Sequence, residues 1–123
     1  MHDTATGPIE FGSWESFRTS YDAAHRHPVN RAIHHASHAA VLGGVVASVL
    51  GHPGVLAAAV LGAFPVNWLG HWVFERNQPA FLVAGDTRGG AATAWRKAAV
   101  ALGGVAWTLE SALRLVRPRA AAV

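Results

Sequence analysis

Residues 32–74, AIHHASHAAVLGGVVASVLGHPGVLAAAVLGAFPVNWLGHWVF, contain no Asp, Glu, Lys or Arg. Two apolar segments, residues 39–50 and 55–74, are separated by residues 51–54 (GHPG), a strong turn signal. A membrane-spanning helix needs about 20 predominantly apolar residues. The second segment has this length, and the first reaches it when its histidines lie at the membrane entrance. The stretch therefore predicts a helical hairpin in the bilayer.

The composition of the whole chain agrees with this interpretation. Of the 123 residues, 51% are hydrophobic and 14% are charged, whereas an ordinary soluble domain has about 25% charged residues. The absence of cysteine excludes disulfides, thiolate metal sites and a cysteine nucleophile. The basic residues are scattered over several segments, which argues against nucleic-acid binding. A soluble four-helix bundle with an alanine-rich core is the alternative architecture.

We predict an all-α fold, a small integral-membrane helical bundle with a transmembrane hairpin and with N-terminal and C-terminal helices. Residues 1–12 are expected to form a flexible lead-in, residues 13–117 a single helical membrane domain and residues 118–123 a C-terminal tail. A shorter apolar stretch, residues 98–109, predicts the last helix. It is interpreted as a short span, a re-entrant piece or an interfacial helix.

The arginines predict the orientation of the hairpin. Arg18, Arg26 and Arg31 precede it, Arg76 and Arg88 follow it, and its tip has no Lys or Arg. Cytoplasmic loops carry an excess of Lys and Arg. Both ends of the hairpin are therefore expected in the cytoplasm.

Three histidines are expected to meet at one edge of the membrane. A hairpin brings the start of its first helix beside the end of its second, so His25, His34 and His71 can converge. His38 is four residues from His34 and shares its helix face, which makes it a candidate additional ligand. Neutral imidazole suits iron, zinc, copper and nickel. The spacing therefore predicts a metal site without selecting the metal.

Two sequence blocks flank the hairpin, residues 25–34 (HRHPVNRAIH) and residues 68–80 (WLGHWVFERNQPA). Together they resemble the membrane family of 2-hydroxy fatty acid dioxygenases. In that family a His-x-Asn-Pro-x-Asn-x-x-x-His block precedes the first span, and a Gly-His-x-x-Phe-Glu-Lys-x-x-Pro-Ala block closes a later one. This chain departs from the family at three positions. His27 replaces the Asn of the first block, Arg76 replaces the Lys of the second, and Ser37 replaces the Gly of a His-x-x-Gly pattern that begins at His34.

The resemblance implies an Fe(II) enzyme that uses O2 to shorten a 2-hydroxy fatty acid by one carbon, the reaction of α-oxidation. It implies that His25, His34 and His71 ligate the iron, and that Asn30 and Glu75 match other recurrent positions of the family. The implied partners are a lipid-like acid, O2 and the bilayer. An oligomer is compatible with the sequence.

Further roles follow from this hypothesis. Glu75 or Asn30 is expected to orient a ligand histidine, and Arg31 or Arg76 to hold the substrate carboxylate, since a guanidinium binds a carboxylate through two hydrogen bonds. The acyl chain is expected to lie in lipid along the hairpin, or in a groove lined by three apolar residues, Val41, Val45 and Leu69.

Two other functions remain open on the residues. One is a non-catalytic small membrane protein whose histidines bind a metal or haem, or only line the interface. The other is an enzyme of the same scaffold that acts on another lipid-like substrate, with or without iron. Turnover distinguishes the first of these from the dioxygenase, and metal analysis with a panel of substrates distinguishes the second.

Overall fold

The computed structural model of the chain describes residues 9–79 and 91–117. This part of the chain contains α1 (Trp14–Ala24), α2 (Pro28–Val49), α3 (Pro53–Gly70) and α4 (Ala91–Val116), and no strand. A π-helical turn, His71–Glu75, continues α3. The predicted all-α class is therefore confirmed. The C-terminal tail and the first eight residues of the lead-in lie outside the described residues.

Three helical segments are long and apolar enough to cross a membrane, namely Pro28–Val49, Pro53–Glu75 and Ala94–Val116. The protein buries little of their surface: only 6% of the apolar window in the second segment is buried. Large apolar side chains such as Leu61 and Leu102 are 75% and 73% exposed. Exposed apolar surface on this scale fits a lipid environment. The predicted hairpin is confirmed, and the last helix has the length of a span.

The hairpin turn and the packing of α2 on α3 depend on two glycines. Gly51 has a φ of 96°, a left-handed conformation that glycine adopts without steric strain. Gly44 lies against α3 so closely that an added Cβ would be 2.7 Å from the Leu56 Cα. Small residues allow such close approach of helices in lipid. The two helices therefore meet backbone to backbone near the turn.

We expect Gly44→Ala to destabilise the protein and Gly43→Ala to leave it unchanged or slightly more stable. The Cβ added at position 44 would displace the backbone of α3, and overpacking of this kind lowers the free energy of unfolding by about 1–3 kcal/mol. An added Cβ at Gly43 meets nothing within 4 Å, so that variant controls for helix propensity. Thermal unfolding in detergent, followed by circular dichroism, measures both. Equal midpoints for the two variants would contradict the packing argument.

The N-terminal helix packs on the last one through aromatic side chains. A capping box between Ser13 and Ser16 starts α1. The Phe17 and Tyr21 side chains are buried, and the Tyr21 ring lies 4.9 Å from the Trp107 ring of α4. The aromatic stripe of α1 therefore holds α4 against the hairpin.

A polar cluster at the C-terminal end of α4 completes this contact. Glu110 accepts hydrogen bonds from the Trp14 indole, from Arg18 at 2.7 Å and from Arg114 at 2.6 Å. The interactions of Trp14 and Arg18 join α1 to α4, whereas Arg114 is one turn along the same helix. The cluster fixes where α1 crosses α4, and with it the position of the chain that follows α1.

Candidate metal centre

Three buried histidines from three separate elements meet at one end of the hairpin. His25 follows α1, His34 lies in α2, and His71 begins the π-helical turn after α3. Their exposed fractions are 0%, 4% and 1%. Each offers one ring nitrogen, and these nitrogens lie within 4.8 Å of one another. The structure thus brings together the three histidines that the sequence selects as candidate metal ligands.

An oxygen atom of the protein fixes each of the three rings. His25 Nδ1 donates to the Tyr21 carbonyl at 2.6 Å, and His34 Nδ1 donates to the Asn30 carbonyl at 2.9 Å. His71 Nδ1 donates to Asn77 Oδ1 at 2.7 Å. A carbonyl oxygen only accepts, so each Nδ1 carries the proton and each Nε2 keeps its lone pair. Metal-binding histidines are held in this way by a hydrogen bond to the other ring nitrogen.

The environment keeps His25 neutral. Burial lowers the pKa of the His25 imidazole well below its usual range, and the neighbouring His34 and His71 lower this pKa further. Its Nε2 is buried and has no hydrogen-bond partner within the part of the chain that the structure describes. A buried unpartnered acceptor is costly unless a ligand occupies it. The neutral three-imidazole donor set therefore fits a divalent transition metal.

The π-helical turn directs Asn77 back to the cluster. Arg76 adopts a left-handed conformation with a φ of 57°, which is uncommon for a residue with a side chain. The chain reverses there, and Asn77 reaches the His71 ring through Oδ1 and the Ala24 carbonyl through Nδ2, at 3.1 Å. Asn77 thereby joins the end of α3 to the end of α1. Sequence reasoning missed Asn77, although it lies within the second of the two quoted blocks.

We expect Asn77→Ala to weaken binding of a divalent metal by about 10- to 100-fold, the usual effect of removing the hydrogen-bond partner of a ligand histidine. The His71 ring would lose its acceptor and rotate more freely. Titration of the metal-free protein with Fe(II) under anaerobic conditions measures the affinity. Gln78→Ala changes the adjacent, exposed residue and is expected to bind the metal with wild-type affinity. Equal affinities for the two variants would refute the positioning role.

A cavity of about 150 Å³ extends from the histidines into the apolar part of the bundle. It lies between α2, α3 and α4, and its apolar lining includes Val41, Val60, Ala63, Phe64 and Val105. Among the described residues, no Asp, Glu, Lys or Arg lines it. Val41 of the predicted groove is on its wall, whereas Val45 and Leu69 are 46% and 56% exposed and do not line it.

Residues 11–85 match the protein family described as 2-hydroxy-palmitic acid dioxygenase Mpo1-like. The match includes all three clustered histidines and the hairpin. The chain belongs to the Mpo1-like family. Comparisons with curated proteins and with solved structures each find no significant match. The family resemblance seen in the two sequence blocks is therefore confirmed.

In this Mpo1-like chain, Glu75 and Asn30 connect the start of α2 to the end of α3. Glu75 Oε1 accepts hydrogen bonds from the His27 main-chain N–H and from Asn30 Nδ2, the latter at 3.3 Å. Asn30 holds His34 through its main-chain carbonyl, while its side chain lies against Gly70. Neither of the two side chains makes a hydrogen bond to a ring nitrogen in the described part of the chain. The predicted role of Glu75 or Asn30 in orienting a ligand histidine stays a prediction. The side chain that hydrogen-bonds a clustered ring in the structure is Asn77, which accepts from His71.

The two candidate carboxylate-binding arginines lie outside the cavity lining. Arg31 donates to Asp22 and to the His25 carbonyl, each at 3.1 Å, and its guanidinium lies 4.9 Å from the centre of the Trp107 ring. These contacts engage the Arg31 guanidinium outside the cavity. Arg76 is exposed at the turn that follows Glu75.

The candidate additional ligand, His38, lies one helical turn beyond His34. The two ring centres are 6.0 Å apart. His38 lines the cavity and is not a member of the three-histidine group. Its Nδ1 lies 2.8 Å from the Thr108 hydroxyl, which also lies 2.9 Å from His35 Nδ1. His38 therefore packs α2 against α4, with its Nδ1 at Thr108 and its Nε2 against Gly104.

Proposed function

We propose that the protein is a membrane-embedded Fe(II)-dependent dioxygenase that shortens a 2-hydroxy fatty acid by one carbon. The observation that carries the proposal is the buried three-histidine cluster at the end of an apolar cavity, in a chain of the Mpo1-like family. His25, His34 and His71 would hold the metal through their Nε2 atoms.

Ferrous iron, when bound, supplies O2 chemistry and acts as a Lewis acid toward an oxygen ligand. The reaction breaks the bond between C1 and C2 of the substrate. C1 leaves as CO2, C2 becomes the new carboxyl carbon and one water forms. All the electrons that reduce O2 come from the substrate, so no external reductant is needed. The chain contributes fixed, neutral imidazoles and a site from which bulk water is excluded.

The charge of the site favours an anionic substrate. The three candidate ligands of the described cluster are imidazoles, and the nearby Glu75 carboxylate is engaged by the His27 N–H and by Asn30 Nδ2. A divalent cation on neutral ligands carries uncompensated charge, which is unfavourable in an apolar interior. A 2-hydroxy acid brings a carboxylate to the metal and offers a hydroxyl as a second oxygen donor. The site thus complements this class of substrate.

The size of the cavity favours a substrate with a tail in the bilayer. A cavity of about 150 Å³ accommodates a molecule of about the size of benzene. It can hold the polar end of a fatty acid and the first carbons of its chain. The remaining carbons would lie along α3, where apolar side chains such as Leu61 are 75% exposed. The bilayer itself would therefore solvate most of the tail.

Both ends of the hairpin are proposed to lie on the cytoplasmic side, on the basis of the flanking arginines. The chain has no cysteine, so single variants His52→Cys and Gln78→Cys report the two sides independently. In intact bacterial spheroplasts, a membrane-impermeant maleimide is expected to label the first variant and to label the second only after permeabilisation. The reverse pattern would overturn this orientation.

The proposed activity is tested on purified protein in detergent, reconstituted anaerobically with Fe(II). We expect stoichiometric iron, O2 uptake on addition of 2-hydroxyhexadecanoate, and a product one carbon shorter by mass spectrometry. Hexadecanoate, which lacks the 2-hydroxyl, is the control substrate. Stoichiometric iron without turnover would support the non-catalytic metal-binding alternative. Turnover of a different lipid-like acid alone would support an altered substrate class.

A further inference from the structure

We propose that two neutral hydrogen-bond donors on α3, the Trp68 indole N–H and the Asn67 side-chain amide, bind the polar end of the substrate in the cavity. The inference rests on the proposed function and deepens it, because it assigns the recognition of the substrate oxygens to uncharged groups. Both residues line the cavity. They precede His71 by three and four residues, so they lie one helical turn from it on the same side of α3.

The Trp68 indole N–H has no hydrogen-bond partner among the described residues. Its Nε1 is buried and makes no hydrogen bond in the described part of the chain. By contrast, Trp107 donates to Asp22 at 2.8 Å, and Trp14 donates to Glu110. Buried polar groups in folded proteins almost always have a partner. An unsatisfied donor in the wall of a ligand cavity indicates an acceptor on the ligand.

The Asn67 amide is oriented by a contact across the hairpin. The Ser37 hydroxyl of α2 donates to Asn67 Oδ1 at 2.9 Å. Because Oδ1 is taken by Ser37, the Nδ2 group with its two N–H bonds is the part of the amide left for a ligand. Ser37 therefore supplies the group that fixes the amide.

No Lys or Arg side chain lines the described cavity, so no cationic group there can bind the substrate carboxylate. Arg31 is held by Asp22 and the His25 carbonyl, and Arg76 is exposed outside it. Hydrogen bonds from neutral donors to a carboxylate are strong in an apolar site. A carboxylate offers two acceptor oxygens, so both donors can bind it at once.

Binding of radiolabelled 2-hydroxyhexadecanoate to the Fe(II)-loaded protein under anaerobic conditions tests the inference without turnover. We expect Trp68→Phe, which removes only the N–H and part of the ring, to raise Kd about tenfold, and Asn67→Leu to raise it by a similar factor. Iron content and thermal midpoint are measured in each variant. Iron content is expected to match the wild type in both, and the midpoint to match it in Trp68→Phe and to fall slightly in Asn67→Leu, which loses the contact with Ser37. Trp72→Phe, at the exposed tryptophan one turn further on, is the matched control.

A spectroscopic readout separates hydrogen bonding from packing. The acid is expected to shift the indole emission of the wild type and of Trp72→Phe to longer wavelength, and to leave that of Trp68→Phe unshifted. If Trp68→Phe and Asn67→Leu both bind the acid with the Kd of the wild type, the inference is overturned and the proposed function stays intact. Failure of the iron-loaded wild type to bind the 2-hydroxy acid would overturn both.

Discussion

The double variant His34→Ala, His71→Ala is expected to retain no stoichiometric iron and no detectable turnover. The two substitutions remove two of the three clustered imidazoles and leave only His25. A single neutral imidazole holds a divalent metal weakly, and groups that act as one unit lose their function together. The variant is purified beside the wild type, reconstituted anaerobically with Fe(II) and assayed for iron by elemental analysis.

Two controls make this loss specific to the cluster. His52→Ala changes an exposed histidine at the opposite end of the hairpin and is expected to bind iron and to turn over substrate normally. His38→Ala removes the histidine next to His34 that lies outside the three-histidine group. Retention of iron in His38→Ala would restrict the ligand set to the three histidines. Retention of stoichiometric iron in the double variant would contradict the assigned centre.

The hairpin and the meeting of the histidines were predictable from the sequence because the bilayer constrains them strongly. An uncharged stretch of 43 residues, 32–74, with a turn signal near its middle leaves few alternatives, since a backbone in lipid must satisfy its hydrogen bonds within helices. Two helices of similar length then bring residue 34 beside residue 71. The clustering of His34 and His71 needs no knowledge of side-chain packing.

The remaining features depend on packing that hydropathy does not encode. Asn77 reaches His71 only because a π-helical turn and the left-handed Arg76 reverse the chain. The sequence analysis predicts Val45 and Leu69 in the groove, yet both side chains are exposed and lie outside the cavity lining. Which face of each helix lines the cavity depends on where α4 packs, and that follows from aromatic contacts such as Tyr21 on Trp107.

Ala63→Trp is expected to lower kcat/KM for 2-hydroxyhexadecanoate by at least about 100-fold while leaving iron binding unchanged. Ala63 lines the cavity eight residues before His71, about 12 Å away along the helix axis. An indole there would occupy space that the acyl chain needs, and misplacing a substrate by about 1 Å costs about 100-fold in rate. The metal ligands and their oxygen partners lie beyond its reach.

Ala58→Trp introduces the same side chain on the same helix at an exposed position outside the cavity lining, and we expect it to retain wild-type kinetics. The comparison also includes 2-hydroxybutanoate, whose four carbons do not fill the cavity, so its turnover should fall less in Ala63→Trp. Since the bilayer already solvates the long tail, the difference between the two acids reflects steric exclusion rather than lost hydrophobic burial. Equal losses for both acids, with iron retained, would indicate that the cavity carries O2 or water rather than the acyl chain.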